Sequence, residues 1–262
     1  MMLLIDIGNT HTHLGLANDR RVISHVNFRT ALWFGDAAAT RAKKFVSGAV
    51  LDGAVLCSVV PRATLPAQRA VRRLWNLSML VLGPETVRGV GVRYPRPESI
   101  GPDRLANAVA VRHHFGAPAI VVDFGTAVTF DVVDSRGDYV GGIIAPGLAA
   151  MTDYLHEKTA LLPKIRIREV SSVIGKTTGQ AMLVGAVHGY RGLVRGLILE
   201  LKRELKARRL PVVATGGYAK LIGAGMPEIT AIRPLLTLEG LRLVAKAGAP
   251  QLRARRRRSR TT

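Results

Sequence analysis

Apolar runs and polar breaks divide the 262-residue chain into two kinds of segment. Short runs rich in Val, Ile and Leu, bounded by Gly or Asp, lie at 2–7, 54–60, 77–82, 119–123 and 211–214. Their length and near-continuous apolarity predict buried strands. Helical patterns lie between them, at 63–75 after Pro61, at 103–115 after Gly101 and Pro102, and at 178–205. In the last of these, Met182, Ala186, Leu193, Leu197 and Leu201 fall near one face and are expected to form its buried stripe. Strands alternating with helices predict an α/β fold.

An internal repeat refines this picture. The segment LLIDIGNTHTHLGLA at 3–17 is echoed by IVVDFGTAVTFDVVD at 120–134, with Asp6 and Asp123 standing 117 residues apart. In each copy an apolar strand ends on an aspartate, a glycine permits a tight turn, and hydroxyl residues lead into a second strand, as a hairpin requires. The chain therefore reads as a duplicated domain, 1–116 and 117–252, with the boundary near Gly116 to Pro118 and a tail at 253–262. Each half is expected to present one carboxylate and one glycine turn to a shared cleft.

Composition narrows the class. With 48% apolar and 21% charged residues the chain can bury a substantial core, which argues against wholesale disorder. Lys and Arg exceed Asp and Glu by 20, which would ordinarily suggest a nucleic-acid or anionic-membrane partner. Six of those positive charges are the arginines of RARRRRSRTT at 253–262, a segment without acids or apolar period that is expected to be a solvated, disordered end. The rest of the excess is spread over both halves without a recognition motif, so nucleic acid is the less favoured partner. Cys57 is the single cysteine, which excludes an intrachain disulfide and a Cys-cluster zinc site. No apolar run approaches the ~18 residues of a membrane span, and the opening apolar stretch is too short for a signal peptide, so a soluble cytoplasmic protein is expected.

The repeated turns carry the chemistry. Asp6-Ile7-Gly8-Asn9-Thr10 and Asp123-Phe124-Gly125-Thr126-Ala127 contain what polyphosphate binding needs. Glycine admits close approach, turn N–H groups and Thr hydroxyls donate to phosphate oxygens, and an aspartate such as Asp6 holds a hydrated Mg²⁺ that offsets the charge. VVATGGYAKL at 212–221 adds a third glycine turn suited to a flat ligand such as adenine. Gly175-Lys176-Thr177 imitates the end of a P-loop, but Val170 stands where its first glycine is required. Asp123-Phe124-Gly125 lacks the companion motifs of protein kinases, and the pairs His11/His13 and His113/His114 lack metal-ligand spacing. A Pro-rich loop, YPRPESIGPDR at 94–104, delivers Asp103 and Arg104 to a helix start. Asp103 there either complements the helix dipole or accepts the proton of an acidic alcohol whose carboxylate Arg104 holds.

Taken in order, these motifs resemble the type III pantothenate kinases, members of the actin-like, sugar-kinase and Hsp70 superfamily built from two ribonuclease-H-like domains. The resemblance runs from about Leu3 to Lys246. It rests on Asp6 to Thr10 with Gly15, on Tyr94, Pro97 and Gly101 to Arg104, on Asp123 to Asp131, and on Gly141 to Gly147. It implies ATP-dependent phosphorylation of pantothenate to 4'-phosphopantothenate, the first step of coenzyme A biosynthesis. ATP would be bound by Asp6, Ile7, Gly8, Asn9, Thr10, His11, Thr12, His13 and Thr126, with Asp123 at a K⁺ or NH₄⁺ site. Asp103 would be the base, and Tyr94, Gly101, Pro102, Asp103 and Arg104 would line the pantothenate pocket. Thr178 would reach substrate across a homodimer interface. The chain departs from the family pattern at Arg96, where Asn is usual, and at Thr177 and Gln180, where Asn and Glu are common. Phosphate turns do not specify the acceptor, so a kinase for another small hydroxy acid or a sugar stays open. So does a nucleic-acid-binding or transcription accessory factor that uses the basic tail.

Overall fold

The computed structural model describes residues 1–207 and 210–248, so the expected tail at 253–262 lies outside the described residues. The chain groups into two compact units, the first comprising Met1–His114, Gly137–Val140 and, of the described residues, 235–248, the second Phe115–Arg136 and Gly141–Pro234.

In the first unit, β1 (Met2–Ile7), β2 (His11–Ala17) and β3 (Val22–Arg29) form an antiparallel meander. On the other side of β1, β4 (Gly53–Ser58) and β5 (Met79–Val81) add in parallel, giving the order β3-β2-β1-β4-β5. Helices α1 (Ala37–Val46) and α2 (Pro61–Trp75) cover the face to which β1 turns Leu3, Ile5 and Ile7. After β5 come a short β6 (Gly91–Val92) and α3 (Pro102–Phe115), whose residues from Leu105 through Val111 are all buried. A helix that is apolar around its circumference must be enclosed on every side, and this one is.

The second unit repeats the first sheet. β7 (Ala119–Phe124), β8 (Ala127–Val133) and β9 (Asp138–Pro146) are followed by β10 (Val212–Thr215) and β11 (Ala231–Ile232), in the order β9-β8-β7-β10-β11. As in the first sheet, the opening hairpin is antiparallel and the strands beyond it are parallel. The sequence echo is thus one hairpin built twice, with Asp6 opposite His13 in one copy and Asp123 opposite Thr129 in the other. Strand β9 crosses the division: its first residues group with the first unit, where Asp138 and Tyr139 pair in parallel with Gly91 and Val92 of β6.

The helices of the second unit are α4 (Leu148–Lys158), then α5 (Thr178–Val184) and α6 (Tyr190–Glu204) joined by a π turn over Gly185–Gly189, and α7 (Ala219–Gly223). The most buried stripe on the long α5–α6 segment differs from the expected one. Met182, Leu183, Ala186, Val187, Tyr190, Val194 and Ile198 are buried, and Ala186, Tyr190, Val194 and Ile198 enter the core of this unit, against which Leu193, Leu197 and Leu201 are only partly buried. In a regular helix each step of four residues drifts about 40° around the axis. The wider π turn offsets part of that drift, which keeps Met182, Ala186, Tyr190, Val194 and Ile198 on one face.

The last helix among the described residues is α8 (Leu236–Ala247). The contact division falls after His114, where the sequence suggests 116, and residues 235–248 group with the first unit. The reason is the far face of the first sheet. Leu4 and Gly15 turn away from α1 and α2, and Leu238 of α8 covers them, with buried Leu241 and Val244 extending the layer. The same helix meets α3: Gly240 lies so close to the Ala106 carbonyl that a side chain there would collide with it, and Thr237 Oγ1 donates to Asn107 Oδ1 at 2.8 Å.

Candidate active site

The β1–β2 turn is held from behind by the end of β3. Gly8 N–H donates across the turn to the His11 carbonyl at 3.0 Å, and Thr30 N–H donates to the Thr10 carbonyl at 3.0 Å. Thr30 Oγ1 donates to the Gly8 carbonyl at 2.7 Å, and its oxygen lies 3.1 Å from the hydroxyl of Thr12. Trp33 Nε1 completes the support by donating to Thr12 Oγ1 at 3.1 Å. The Thr12 hydroxyl therefore faces the core and braces the turn, as does the buried Ile7, while Asn9, Thr10 and His11 are exposed. His13, on the same face of β2 as His11, is half-buried. Burial, and then the neighbouring His11 and His25, hold its pKa below the usual histidine value.

In the second unit, three motifs well separated along the chain converge on one turn. The Gly125 N–H donates to the Ala127 carbonyl at 3.1 Å, closing the β7–β8 turn. Gly147, at the start of α4, packs against the Thr126 and Gly125 carbonyls where any side chain would collide. Gly216, with φ of +89°, lies against the Asp123 carboxylate and the Phe124 backbone, so this position requires glycine both for its backbone angle and for its space. Tyr218 N–H donates to the Phe124 carbonyl at 3.3 Å and ties the third glycine turn to the first. The local sequence motifs are thus one packed arrangement around Asp123 and Thr126.

Of the expected substrate-end residues, Tyr94 and Gly101 to Arg104 belong to the first unit and Thr178 to the second. Ser99 donates through its hydroxyl and its N–H to the Arg96 carbonyl, at 2.7 and 3.0 Å, which shapes the loop before Gly101. The departure at Arg96 therefore leaves the backbone contact intact, and its side chain is exposed. Helix α3 opens with the Arg104 N–H donating both to the Gly101 carbonyl at 3.0 Å and to Asp103 Oδ1 at 2.8 Å. A Cβ on Gly101 would stand 2.6 Å from Asp103 Oδ1 and 3.6 Å from the Val59 side chain. Val59 in turn donates its N–H to the Ile7 carbonyl at 3.0 Å, so the space beside Gly101 that a side chain would fill is bordered by Asp103 on one side and by the residue following β4 on the other. Burial pushes the Asp103 carboxyl above the ordinary carboxylate range, against the opposing pull of the Arg104 N–H and guanidinium. The folded state thus holds this proton more tightly than the unfolded chain. Its contribution to stability is present at low pH and is lost as pH rises through the raised value, so the ionised carboxylate at neutral pH is a cost that folding carries.

Tyr94 and Arg104 are brought together by a residue the motifs did not single out. The Tyr139 ring lies 6.2 Å from the Tyr94 ring, and the Arg104 guanidinium carbon sits 5.7 Å above the Tyr139 ring centroid. Thr178 belongs to the second unit, where it is exposed at the first turn of α5. The departures beside it preserve the helix cap. Thr177 Oγ1 accepts the Gln180 N–H at 3.2 Å, and Gln180 Oε1 accepts the Lys176 N–H at 2.9 Å, a reciprocal arrangement close to a capping box. The Gly175-Lys176-Thr177 triplet is thereby a helix entry. Among the described residues no group of three His, Cys, Asp or Glu side chains is placed to hold a metal ion. Single carboxylates such as Asp6 and Asp123 fit a cation held chiefly by phosphate oxygens and water.

Among the described residues no helix is long and apolar enough to cross a membrane. We expect Gly101→Ala to fold with near-wild-type melting behaviour, because Asp103 can swing aside, and to lose about 10- to 100-fold in turnover because its carboxylate is displaced. Thermal melts and steady-state rates check this, and unchanged turnover would dissociate Gly101 from Asp103 placement.

The family model described as type III pantothenate kinase matches residues 2–200. Proteins described as type III pantothenate kinases from Akkermansia muciniphila and Methylacidiphilum infernorum are 44% and 42% identical to this chain. These matches cover 93% and 94% of it and 97% and 88% of theirs. In fold, the chain is similar to a Baf family protein from Campylobacter jejuni, with a TM-score of 0.60 at 19% identity over 95% of this chain and 99% of that one. It is also similar to the ethanolamine utilization protein EutJ from Carboxydothermus hydrogenoformans, with a TM-score of 0.53 at 17% identity over 92% and 89% of the two chains. With its motifs in order and its relatives aligned over nearly their whole length, the chain belongs to the type III pantothenate kinase family.

Proposed function

We propose that the protein transfers the γ-phosphoryl group of ATP to the primary hydroxyl of pantothenate, giving 4'-phosphopantothenate and ADP, with Asp103 as the base. The observation that carries this reading is the start of α3. There a half-buried carboxylate with a raised pKa stands beside a guanidinium, with only the missing side chain of Gly101 between it and Val59, whose N–H is bonded to the end of β1. Arg104 binds the substrate carboxylate, and Asp103 accepts the hydroxyl proton as that oxygen attacks the γ-phosphorus. The new O–P bond forms as the bond to the bridging oxygen breaks, and ADP leaves. The N–H groups of residues 9–11 and the hydroxyls of Thr10 and Thr126 hold phosphate oxygens, with Gly8 admitting their close approach and Ile7, Thr12 and His13 supporting that turn. Asp6 would hold a hydrated Mg²⁺, which would supply charge neutralisation at the phosphates.

Two further assignments extend the reading. Asp123, with Gly216 packed against it, is the monovalent-cation ligand. A homodimer forms through the second unit, where Ile144, Tyr154, Leu161, Val173 and Ile174 are between 62% and 89% exposed. Apolar side chains this exposed, Val173 and Ile174 lying four to five residues before Thr178, support an interface through which Thr178 reaches the partner's substrate. The reaction is placed in the cytoplasm, where ATP is supplied.

Coupled ADP release is expected with pantothenate and ATP, and to rise several-fold when K⁺ or NH₄⁺ is added. Silence with pantothenate but turnover with another hydroxy acid or a sugar would reassign the acceptor. Replacing Tyr154 and Ile174 with Asp is expected to give a monomer by light scattering, with turnover lost in parallel. A fully active monomer would contradict the shared site.

A further inference from the structure

We propose that Tyr139 is the positioning residue that holds the Arg104 guanidinium where it recognises a carboxylate, so that this ring sets the preference for an acid over its uncharged analogues. The inference rests on the reading of Arg104 as the carboxylate-binding residue.

Tyr139 is fully buried, among the largest side chains in the protein to be so. Its backbone is fixed on both counts that matter. It pairs with Val92 of β6, and its carbonyl accepts the Arg93 N–H at 2.9 Å, so the ring has a rigid base. From that base the ring faces two residues of the substrate end. The Arg104 guanidinium lies 5.7 Å from its centroid, within cation–π range, and the Tyr94 ring lies 6.2 Å away at 52°. Both partners come from loop or helix-start positions, where a long side chain would otherwise sample many rotamers.

An arginine is useful for carboxylate recognition only if its planar fork is oriented in advance. Stacking on an aromatic face does this without competing for hydrogen bonds, because the face of the guanidinium meets the ring and its N–H donors point outward in the plane. The attraction strengthens when the pair is shielded from water, which the buried ring provides on one side. Asp103 gains as well. The Arg104 guanidinium, with the Arg104 and Asp103 N–H groups, holds the Asp103 pKa down against burial, so fixing the arginine also fixes the field on the base. Tyr139 belongs to the part of β9 that groups with the first unit, so one rigid strand residue organises Tyr94, Asp103 and Arg104 together.

The test compares pantothenate with its uncharged alcohol analogue, in which the carboxylate is replaced by a hydroxymethyl group. For Tyr139→Met, which fills volume but lacks a π face, KM for pantothenate is expected to rise about 10- to 100-fold, while KM for ATP and KM for the alcohol analogue stay within twofold of wild type. Tyr139→Phe is expected to retain wild-type constants. Should Met destabilise the fold, fluorinated phenylalanines at 139 keep the volume and progressively weaken the ring face, and log KM for the acid is expected to rise with each fluorine. Equal losses on acid and alcohol, or no trend along the fluorinated series, would overturn the proposal. An Arg104→Gln variant separates the two levels. If its KM for the acid is unchanged, the Arg104 assignment itself fails, whereas a raised KM with no effect at 139 removes Tyr139 alone.

Discussion

Enclosure of α3 is the constraint on which the substrate end depends. Every residue from Leu105 through Val111 is buried, and the approach of Gly240 to the Ala106 carbonyl leaves no space between α3 and α8. A helix gripped in this way cannot roll or slide, so its first turn is fixed in space although that turn is only half-buried. Gly101, Asp103 and Arg104 inherit their positions from it. The price is local and visible in the ionisation of Asp103, whose charge is disfavoured by the burial that positions it. The site is thus stabilised from outside itself, as expected where a carboxylate is kept as a proton acceptor.

The same logic, backbone approaching backbone where a side chain would not fit, organises the second unit. Gly147 against the Thr126 carbonyl and Gly216 against the Asp123 carboxylate draw α4 and the β10–α7 turn onto the β7–β8 turn. In the first unit the corresponding turn is braced differently, by hydroxyls: Thr30 and Thr12 share a hydrogen-bonded network closed by Trp33. The duplicated hairpin therefore keeps its topology while its two copies are supported by different chemistry, one by close packing and the other by buried polar contacts.

The sequence made the parts with local signatures legible. The two Asp-ending strands, their glycine turns, and the entry to α3 each show in a few consecutive residues, because turn geometry and burial alternate on the scale of a strand. What it did not show arises from long-range placement. Thr30 supports the first turn only because the β2–β3 register sets Arg29 opposite His11, and Tyr139 reaches Arg104 only because β9 begins alongside β6. The apolar pattern of α8 reveals a helix but not which sheet it covers, and the choice falls to the unfilled far face of the first sheet at Leu4 and Gly15. The π turn at Gly185–Gly189 rotated the buried stripe of the longest helical segment away from the leucines that looked most regular. At the departures from the family pattern, structure supplies the reason they are tolerated: Thr177 and Gln180 still cap α5, and Arg96 acts through its carbonyl.

The central claim is that the carboxylate held at the start of α3 is the proton acceptor of the transfer. The most direct measurement is single-turnover phosphorylation of pantothenate by Asp103→Asn, with ATP affinity measured on the same preparation. The account predicts that the chemical step slows about 10²- to 10⁴-fold, the usual contribution of a general base, while the ATP dissociation constant stays within twofold of wild type. A chemical step at the wild-type rate would contradict it.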